Sequence, residues 1–321
     1  MDWHDMRVIV TGGAGFVGSH LVDRLLADGN EVICIDNLIS GCAPNLIEAQ
    51  KNPKFSLIRG DLKDFENKKF EGINVVFHMA AYPIRQDKLF DYKTYLDQTE
   101  GGTLAALEIA RKNDIPLFAM AATTSLYGQA KVVPTPEDFV GPDPSFYGTS
   151  KYNSERWTAA YAGLFGINIL IDRFGRILGP RSRNGSVWEL VQRLLANPKE
   201  LHVLGNGTQV RSYLHVSDCV EGMMVSLRNR KGNIDRFNIA NTDTATVKDM
   251  VNIILEESGS NNTKVVYSDE PFGWKGDPSL VFPDIAKLEA CGWKPTKTSK
   301  ETIRDCVRWT LSELKKTSPS K

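Results

Sequence analysis

The sequence predicts an α/β protein with a doubly wound parallel sheet and a second, smaller α/β lobe. Short β-branched runs alternate with stretches of helical spacing through the first half of the chain. A glycine-rich turn joins the first run to the first helix, and the last third has shorter, mixed elements. With 321 residues, of which 41% are hydrophobic, the chain can form one or two domains.

The first element is a strand over residues 8–10, followed by a glycine-rich turn and a helix over residues 20–27. The turn fits two dinucleotide-binding patterns, and its glycines are Gly12, Gly13, Gly15 and Gly18. Glycines let the backbone approach a pyrophosphate, which binds the exposed N–H groups of a helix N-terminus. The cofactor-binding candidates here are Gly12, Gly15, Phe16, Val17 and Gly18.

A second strand over residues 31–35 ends in Asp36. An acid about 20 residues past the glycines can accept hydrogen bonds from the adenosine ribose hydroxyls, and it would repel a 2′-phosphate. We therefore predict NAD rather than NADP, with Asn37 as a neighbouring contact. The alternative is that Asp36 only forms a turn before Asn37.

The alternation of strands and helices continues along the chain. Further strands are predicted at Phe55–Arg59, Val75–His78, 117–121 and Asn168–Phe174, with helices over 99–113 and 150–163. Parallel strands of such a sheet bind ligands at their carboxyl ends. The candidate groups at these ends are Gly12, Asp36, Asp61, Ala80, Thr123 and Arg173. Residues 131–145, rich in proline and acid, are expected to form a long irregular loop.

The pattern changes after Gly179-Pro180, where a helix over 187–196 and short mixed elements follow. We expect residues 1–175, joined by about 211–241, to form an NAD-binding Rossmann domain. Residues 176–210 and 242–321 would then form a substrate-binding lobe that covers the cofactor, which is a usual place for a substrate cleft.

Tyr147 and Lys151 stand four residues apart. On a helix these positions share one face, so an ammonium can lie beneath the phenol. A nearby positive charge lowers the tyrosine pKa from about 10, which would let Tyr147 take a proton from an alcohol while a hydride leaves the same carbon. Alone, this spacing is also typical of two surface residues, but the cofactor turn favours catalysis.

Composition excludes several classes of function. Lys plus Arg and Asp plus Glu both number 39, so bulk charge indicates neither nucleic acid nor an anionic membrane as a partner. The five cysteines lack Cys-x-x-Cys spacing, which is typical of reduced thiols in a cytoplasmic protein. The five histidines form no ligand cluster, so we expect no metal.

Together these residues resemble the extended short-chain dehydrogenase/reductase family, in its nucleotide-sugar epimerase/dehydratase branch, from about Arg7 to about Leu311. The matching motifs are Thr11-Gly-Gly-Ala-Gly-Phe-Val-Gly18, His78-Met-Ala-Ala81, Thr123…Tyr127-Gly128, Tyr147-x-x-x-Lys151, Arg173…Gly179-Pro180-Arg181 and Gly205-Asn-Gly207 through Arg211-Ser-Tyr-Leu-His-Val-Ser-Asp218. Gly273-Trp274-Lys275-Gly276-Asp277 and Gly292-Trp293-Lys294-Pro295 are similar to a UDP-glucose 4-epimerase-like subgroup.

The resemblance implies roles for individual residues. Tyr147 would be the general base and acid, Lys151 would hold the nicotinamide ribose, and Thr123 would bond the reacting sugar oxygen. The remaining cofactor candidates that it implies are Asp61, Leu62, Ala80 and Ala81. The substrate candidates are Thr123, Thr124, Arg176, Arg211 and Lys275.

The sequence departs from the family pattern at several positions. Asparagine is usual where Thr99 and Arg176 stand, and arginine is usual where Phe272 stands. Arg176, Arg181 and Arg183 could instead meet a second anion such as a hexuronate carboxylate, or two of the three could be solvated or paired with acids. The 4,6-dehydratases carry Asp-Glu after the catalytic threonine, whereas Thr124 and Ser125 stand here, so dehydration is disfavoured.

The resemblance implies an NAD-dependent 4-epimerase that acts on a nucleotide sugar, with UDP as the expected nucleotide, through a 4-keto intermediate. One alternative is a net oxidoreductase or a UDP-hexuronate-acting epimerase or decarboxylase. Another is a non-catalytic NAD-binding scaffold, since fold alone does not fix function. The helices over 99–113 and 150–163 resemble the pair that forms a dimeric four-helix bundle in the family, so a homodimer is expected. Five alanines on these helices would allow close packing: Ala105, Ala106, Ala159, Ala160 and Ala162.

Overall fold

The computed structural model describes residues 3–82, 92–141, 145–270 and 280–317. The chain divides into two compact units. The first unit is drawn from residues 1–126, 146–173 and 220–237, and the second from residues 127–145, 174–219 and 238–321.

The strands are numbered in chain order. They are β1 (Arg7–Thr11), β2 (Glu31–Asp36), β3 (Phe55–Arg59), β4 (Val75–His78), β5 (Leu117–Thr123), β6 (Asn168–Phe174), β7 (Arg176–Leu178), β8 (Glu200–Val203), β9 (Val210–Arg211), β10 (Tyr213–His215), β11 (Ile234–Ile239), β12 (Ala245–Thr246), β13 (Lys264–Tyr267) and β14 (Leu280–Val281).

The helices are α1 (Phe16–Ala27), α2 (Tyr92–Leu96), α3 (Gly102–Lys112), α4 (Phe146–Phe165), α5 (Ser186–Ala196), α6 (Val216–Asn229), α7 (Val247–Ser258), α8 (Ala286–Glu289) and α9 (Ser299–Thr317). A π-helical turn, Asp97–Gly101, joins α2 to α3. No helix in the described ranges is long and apolar enough to cross a membrane.

Within the described residues, seven strands form one sheet in the order β11-β6-β5-β4-β1-β2-β3. Strand β1 pairs in parallel with β2 and β4, and the pairs β2–β3 and β4–β5 are also parallel. Val8, Ile9 and Val10 are fully buried, as expected for a central parallel strand with both faces covered. The predicted fold class is confirmed: this is a Rossmann-like α/β sheet flanked by helices.

Two helices begin earlier than predicted. Helix α1 starts at Phe16, directly after the glycine turn, and α4 starts at Phe146 rather than at residue 150. The earlier start of α4 places Tyr147 in its first turn, so Tyr147 and Lys151 share one helix.

The second unit contains small sheets, among them β9 between β12 and β14, and helices with a separate apolar core. Helices α7 and α9 are longer than the short elements expected for the last third, at 12 and 19 residues. Helix α7 begins with a capping box, in which Thr246 and Asp249 satisfy each other's backbone N–H groups. Helix α9 buries Ile303, Val307 and Leu311 on one face.

Candidate active site

The glycine turn between β1 and α1 has room for backbone only. Gly12 has φ +67°, and a Cβ there would lie 2.7 Å from Cα of Ala80. A Cβ on Gly18 would lie 2.3 Å from the Gly12 carbonyl oxygen, so glycine at 18 lets α1 approach the turn. Gly15 is the N-cap of α1, where no side chain caps the helix and the first turn holds no acid. This bare positive helix end fits the pyrophosphate of a dinucleotide.

Asp36 lies beside the same turn. Its carboxylate accepts hydrogen bonds from the backbone N–H groups of Ala14, at 2.9 Å, and Leu38, at 2.8 Å. Burial raises the Asp36 pKa, and these two hydrogen bonds oppose the rise. A Cβ on Gly41 would lie 2.7 Å from Asp36 Oδ1, so glycine there leaves the carboxylate its space. Asp36 is therefore fixed at the end of β2, where a ribose contact was predicted.

Asn37 and Asp61 meet at a third residue, Gln98, which the sequence reasoning missed. The Gln98 amide donates to Asp61 Oδ2 at 3.1 Å, and Asn37 Nδ2 donates to Gln98 Oε1 at 3.1 Å. Burial opposes ionisation of Asp61, but hydrogen bonds from Gln98 and the Lys63 N–H outweigh it and lower the Asp61 pKa. Gln98 lies in the π-helical turn, a feature often found at functional sites. The cofactor candidate Asp61 thus lies in a polar cluster, whereas its neighbour Leu62 packs in the apolar core of the first unit.

His78, at the end of β4, joins β1 to α3 through a buried hydrogen-bond chain. Thr103 donates its hydroxyl proton to the Thr99 carbonyl oxygen at 2.8 Å, so it must accept from His78 Nε2 at 3.1 Å. His78 Nδ1 then accepts from the Thr11 hydroxyl at 2.9 Å. Burial and the charge of Lys151 lower the His78 pKa to about 3, so the imidazole is neutral. The motif residues Ala80 and Ala81 follow directly.

Lys151 is buried on α4, with 3% of its surface exposed, whereas Tyr147 one turn earlier is half-buried. Burial lowers the Lys151 pKa to about 8, against a smaller raising effect of Glu155. Near pH 7 the side chain therefore still carries its charge. A second tyrosine, Tyr95, lies close by: its hydroxyl is 3.2 Å from Ser150 Oγ, and burial followed by the nearby Tyr147 raises its pKa. Tyr95 therefore stays neutral.

Thr123 ends β5, as predicted, and is nearly buried, as is Thr124. The Thr123 hydroxyl donates to Ser125 Oγ and accepts from the Ser125 N–H, both at 3.1 Å. This local turn fixes the hydroxyl at the carboxyl end of the sheet.

The proposed substrate arginines lie in the second unit. Arg211, on β9, is buried, and its guanidinium donates to the Val210 carbonyl oxygen at 2.7 Å. Arg176, on β7, is exposed, and no carboxylate in the described ranges forms an ion pair with it. Arg183 pairs with Glu313 and stacks on Trp309. Of the two interpretations given above for Arg183, the structure therefore agrees with pairing to an acid. Lys275 and Phe272 lie outside the described residues.

Comparison with known proteins identifies the family. The model of the NAD dependent epimerase/dehydratase family matches residues 8–240. The chain belongs to this family. It is 32% identical to a putative UDP-glucose 4-epimerase of Methanocaldococcus jannaschii, over 94% of this chain and 97% of that protein. The predicted family resemblance and the predicted cofactor, NAD, are thereby confirmed.

Two solved structures are similar over nearly the whole chain. A UDP-galactose 4-epimerase matches with a TM-score of 0.86 and 33% identity, covering 96% of this chain and all of that one. A mutant UDP-glucuronic acid 4-epimerase from Bacillus cereus, in complex with a 4-deoxy-4-fluoro analogue of UDP-glucuronic acid and NAD, matches with a TM-score of 0.86 and 27% identity, covering 96% of this chain and all of that one. These relatives are 4-epimerases of UDP-sugars.

Proposed function

We propose that this member of the family is an NAD-dependent 4-epimerase of a UDP-sugar, acting through a 4-keto intermediate with no net redox change. The observation that carries the proposal is Lys151, a buried ammonium one helical turn from Tyr147 on α4. Such a pair serves to move a proton at a sugar hydroxyl. The UDP-sugar 4-epimerases among the relatives support this choice of reaction.

The residues of the site have separate tasks. Tyr147 takes the proton of the sugar C4 hydroxyl as a phenolate and later returns it, and Lys151 stabilises that phenolate by its charge. The Thr123 hydroxyl, at the end of β5, would bond the same sugar oxygen. NAD, held by the glycine turn and Asp36, would accept the C4 hydride and return it to the opposite face of the sugar.

Epimerisation also requires that the sugar turn over while the nucleotide stays bound. Arg211 is our candidate for holding the diphosphate, with Lys275 as a second candidate. Thr124 and Ser125 follow Thr123 where a dehydratase would need carboxyl groups, so elimination of water from the 4-keto sugar is disfavoured.

Proton NMR of the purified protein with UDP-glucose, UDP-N-acetylglucosamine and UDP-glucuronate in turn, without added NAD, tests the proposal. Appearance of the C4 epimer from one of them is the expected result and names the substrate. The matched control is Tyr147→Phe, which keeps the ring and removes the phenol. No epimer from any of the three sugars would refute the assignment as stated.

A second candidate is a reaction on a UDP-hexuronate. Arg176 favours it, because this exposed guanidinium pairs with no carboxylate in the described part of the chain and suits bidentate carboxylate binding. The Bacillus cereus relative is a UDP-glucuronic acid 4-epimerase, which supports the same choice. A decarboxylase would release carbon dioxide and a net oxidoreductase would release NADH. Assays for carbon dioxide and for absorbance at the NADH band with added NAD therefore separate these two reactions from epimerisation, which gives neither product.

We also propose a homodimer, formed through the exposed face of α4. Trp157, Ala160 and Leu164 form an exposed stripe at helical spacing on α4, and Leu164 is 75% exposed. Of the five alanines expected to allow close packing between subunits, Ala105, Ala106 and Ala162 are instead buried in the first unit's own core, whereas Ala159 is half-buried and Ala160 is exposed. The partner is therefore expected to cover the exposed stripe alone.

Two further assignments belong to the proposal. The cofactor would bind residues 1–175 with about 211–241, and the substrate lobe would comprise 176–210 and 242–321. A cytoplasmic location is supported by the five cysteines, none of which forms a disulfide in the structure.

A further inference from the structure

A second charged residue continues the line of Tyr147 and Lys151 along α4. Glu155 is four residues beyond Lys151, so the three side chains follow one another on one helix face. Glu155 is 2% exposed, and Lys151 beside it is 3% exposed. A carboxylate this deeply buried is rare unless it is paired.

Glu155 is clamped by Arg173, which lies near the carboxyl end of β6. Arg173 Nε donates to Glu155 Oε1 at 2.9 Å, and Nη2 donates to Oε2 at 2.7 Å. Both side chains are 2% exposed, and this two-bond geometry fixes the carboxylate in position and orientation. Arg236, on β11, reaches within 3.8 Å of Oε2.

Among the groups that face Lys151, Glu155 supplies the negative charge that balances the Lys151 ammonium. His78, on β4, is neutral, and Tyr147 is half-buried on the same helix. Burial lowers the Lys151 pKa and the charge of Glu155 partly opposes this, so that the net Lys151 pKa is about 8. Glu155 in turn faces Lys151 on its own helix, Arg173 on β6 and Arg236 on β11.

We propose that Glu155 is a positioning residue for the reaction, because it keeps the buried Lys151 as an ammonium beneath Tyr147 while Arg173 holds the Glu155 carboxylate in place. Glu155 acts through Lys151 and need not touch substrate or cofactor. Its effect on turnover rests on the proposed function, whereas its effect on the protonation of Lys151 does not.

The test measures Lys151 directly. Purified protein with its bound NAD is labelled with [13Cε]-lysine, and the Lys151 signal is assigned by its loss in Lys151→Arg. Titration is compared between wild type, Glu155→Gln, Arg173→Met and the double variant Glu155→Gln/Arg173→Met, because the double variant against Arg173→Met isolates the charge of Glu155. The double variant removes both buried charges at similar volume, a change that proteins often tolerate, so it keeps the test available if the single variant fails to fold.

An opposite charge within about 4 to 6 Å changes a pKa by about 1 to 3. We therefore expect the Lys151 midpoint to fall by at least about one pH unit in Glu155→Gln relative to wild type, and in the double variant relative to Arg173→Met, which is a tenfold change in the ratio of ammonium to amine. The pH–rate profile of kcat/KM should narrow, with its alkaline limb at lower pH. Glu155→Asp, which keeps the charge, should restore most of the midpoint.

The matched control is Glu257→Gln. Glu257, on α7, also accepts two hydrogen bonds from an arginine, Arg308 Nε at 2.7 Å and Nη2 at 3.1 Å, and its loss should leave the Lys151 titration unchanged. A Lys151 midpoint in folded Glu155→Gln within a few tenths of wild type, or in the double variant within a few tenths of Arg173→Met, would overturn the inference. A shifted midpoint in a protein that turns over no UDP-sugar would leave the inference standing and refute only the proposed function.

Discussion

Replacing Lys151 by methionine should make the protein more stable while removing its activity. Lys151 is buried with its charge, and this burial lowers its pKa from 10.5 to about 8. Each pKa unit corresponds to about 1.4 kcal/mol of differential stabilisation. The charged Lys151 therefore costs the folded protein about 3 kcal/mol near pH 7, a cost that a methionine of similar length does not carry.

The difference in stability between wild type and Lys151→Met should depend on pH, and the direction of this dependence follows from the Lys151 pKa. Because the Lys151 pKa is lower in the folded protein, the unfolded chain binds more protons between about pH 8 and pH 10.5. The stability of the wild type should therefore rise relative to Lys151→Met across this window. The advantage of the variant should be largest below pH 8 and nearly absent by about pH 10.5.

Urea unfolding followed by the fluorescence of the six tryptophans measures this difference. Both proteins must be refolded without NAD, because a ligand that binds the wild type better would mask the effect. Lys264→Met is the control, since Lys264 is exposed and pairs with Glu200 at 3.3 Å. A Lys151→Met protein that is no more stable than wild type at pH 7, or an advantage that does not shrink with pH, would refute the reasoning.

Three shorter predictions concern the reaction, a buried acid and the assembly. Tyr147→Phe should lower kcat at least about 100-fold, measured by the NMR assay, because it removes the general base; near-normal turnover would contradict the assignment. Asp172 is fully buried with a raised pKa, caused first by burial, so its contribution to stability is lost as pH rises from about 4 through its folded pKa. Asp172→Asn should flatten that decline in urea unfolding between pH 5 and pH 9, and an unchanged slope would argue against a protonated Asp172. Leu164→Asp should convert the proposed dimer to a monomer in sedimentation velocity, whereas a wild type that sediments as a monomer would exclude the dimer itself.

The parts of the site that are local in sequence could be predicted. The glycine turn and the pair Tyr147 and Lys151 each depend on spacing within a few residues, which helix and strand periodicity makes readable. Asp36 could be predicted because it ends the next strand, about 20 residues past the glycines. The parallel sheet followed from the alternation of strands and helices. The start of α4 was placed a turn too late, because Tyr147-Gly148-Thr149 has weak helix propensity and only tertiary packing extends the helix.

The parts that depend on distant residues could not be predicted. Glu155 and Arg173 are 18 positions apart, and Gln98 and Asp61 are 37 apart, with no periodic signal linking them. Arg183 was a candidate for binding a second anion of the ligand. In the structure it pairs instead with Glu313, which is 130 positions away in the sequence. Only the folded chain distinguishes an arginine that holds a structural acid from one that can meet a ligand.

The buried face of helix α4 cannot be predicted from the hydrophobic pattern of its sequence. Its buried face carries Ser150, Lys151, Ser154, Glu155 and Thr158, while leucine and tryptophan are exposed on the opposite side. Most helices of globular proteins bury an apolar face, so the polar buried face of α4 is an exception. Such exceptions are expected at functional sites, where a protein loses some stability to hold reactive groups. The buried polar groups have partners: Arg173 on the sheet binds Glu155, and the hydroxyls of Ser150, Ser154 and Thr158 donate to backbone carbonyl oxygens of α4 itself. The polar inner face of α4 is therefore the face that carries Lys151 of the proposed catalytic pair, and the same inversion leaves an apolar outer face that we propose a second copy of the chain covers.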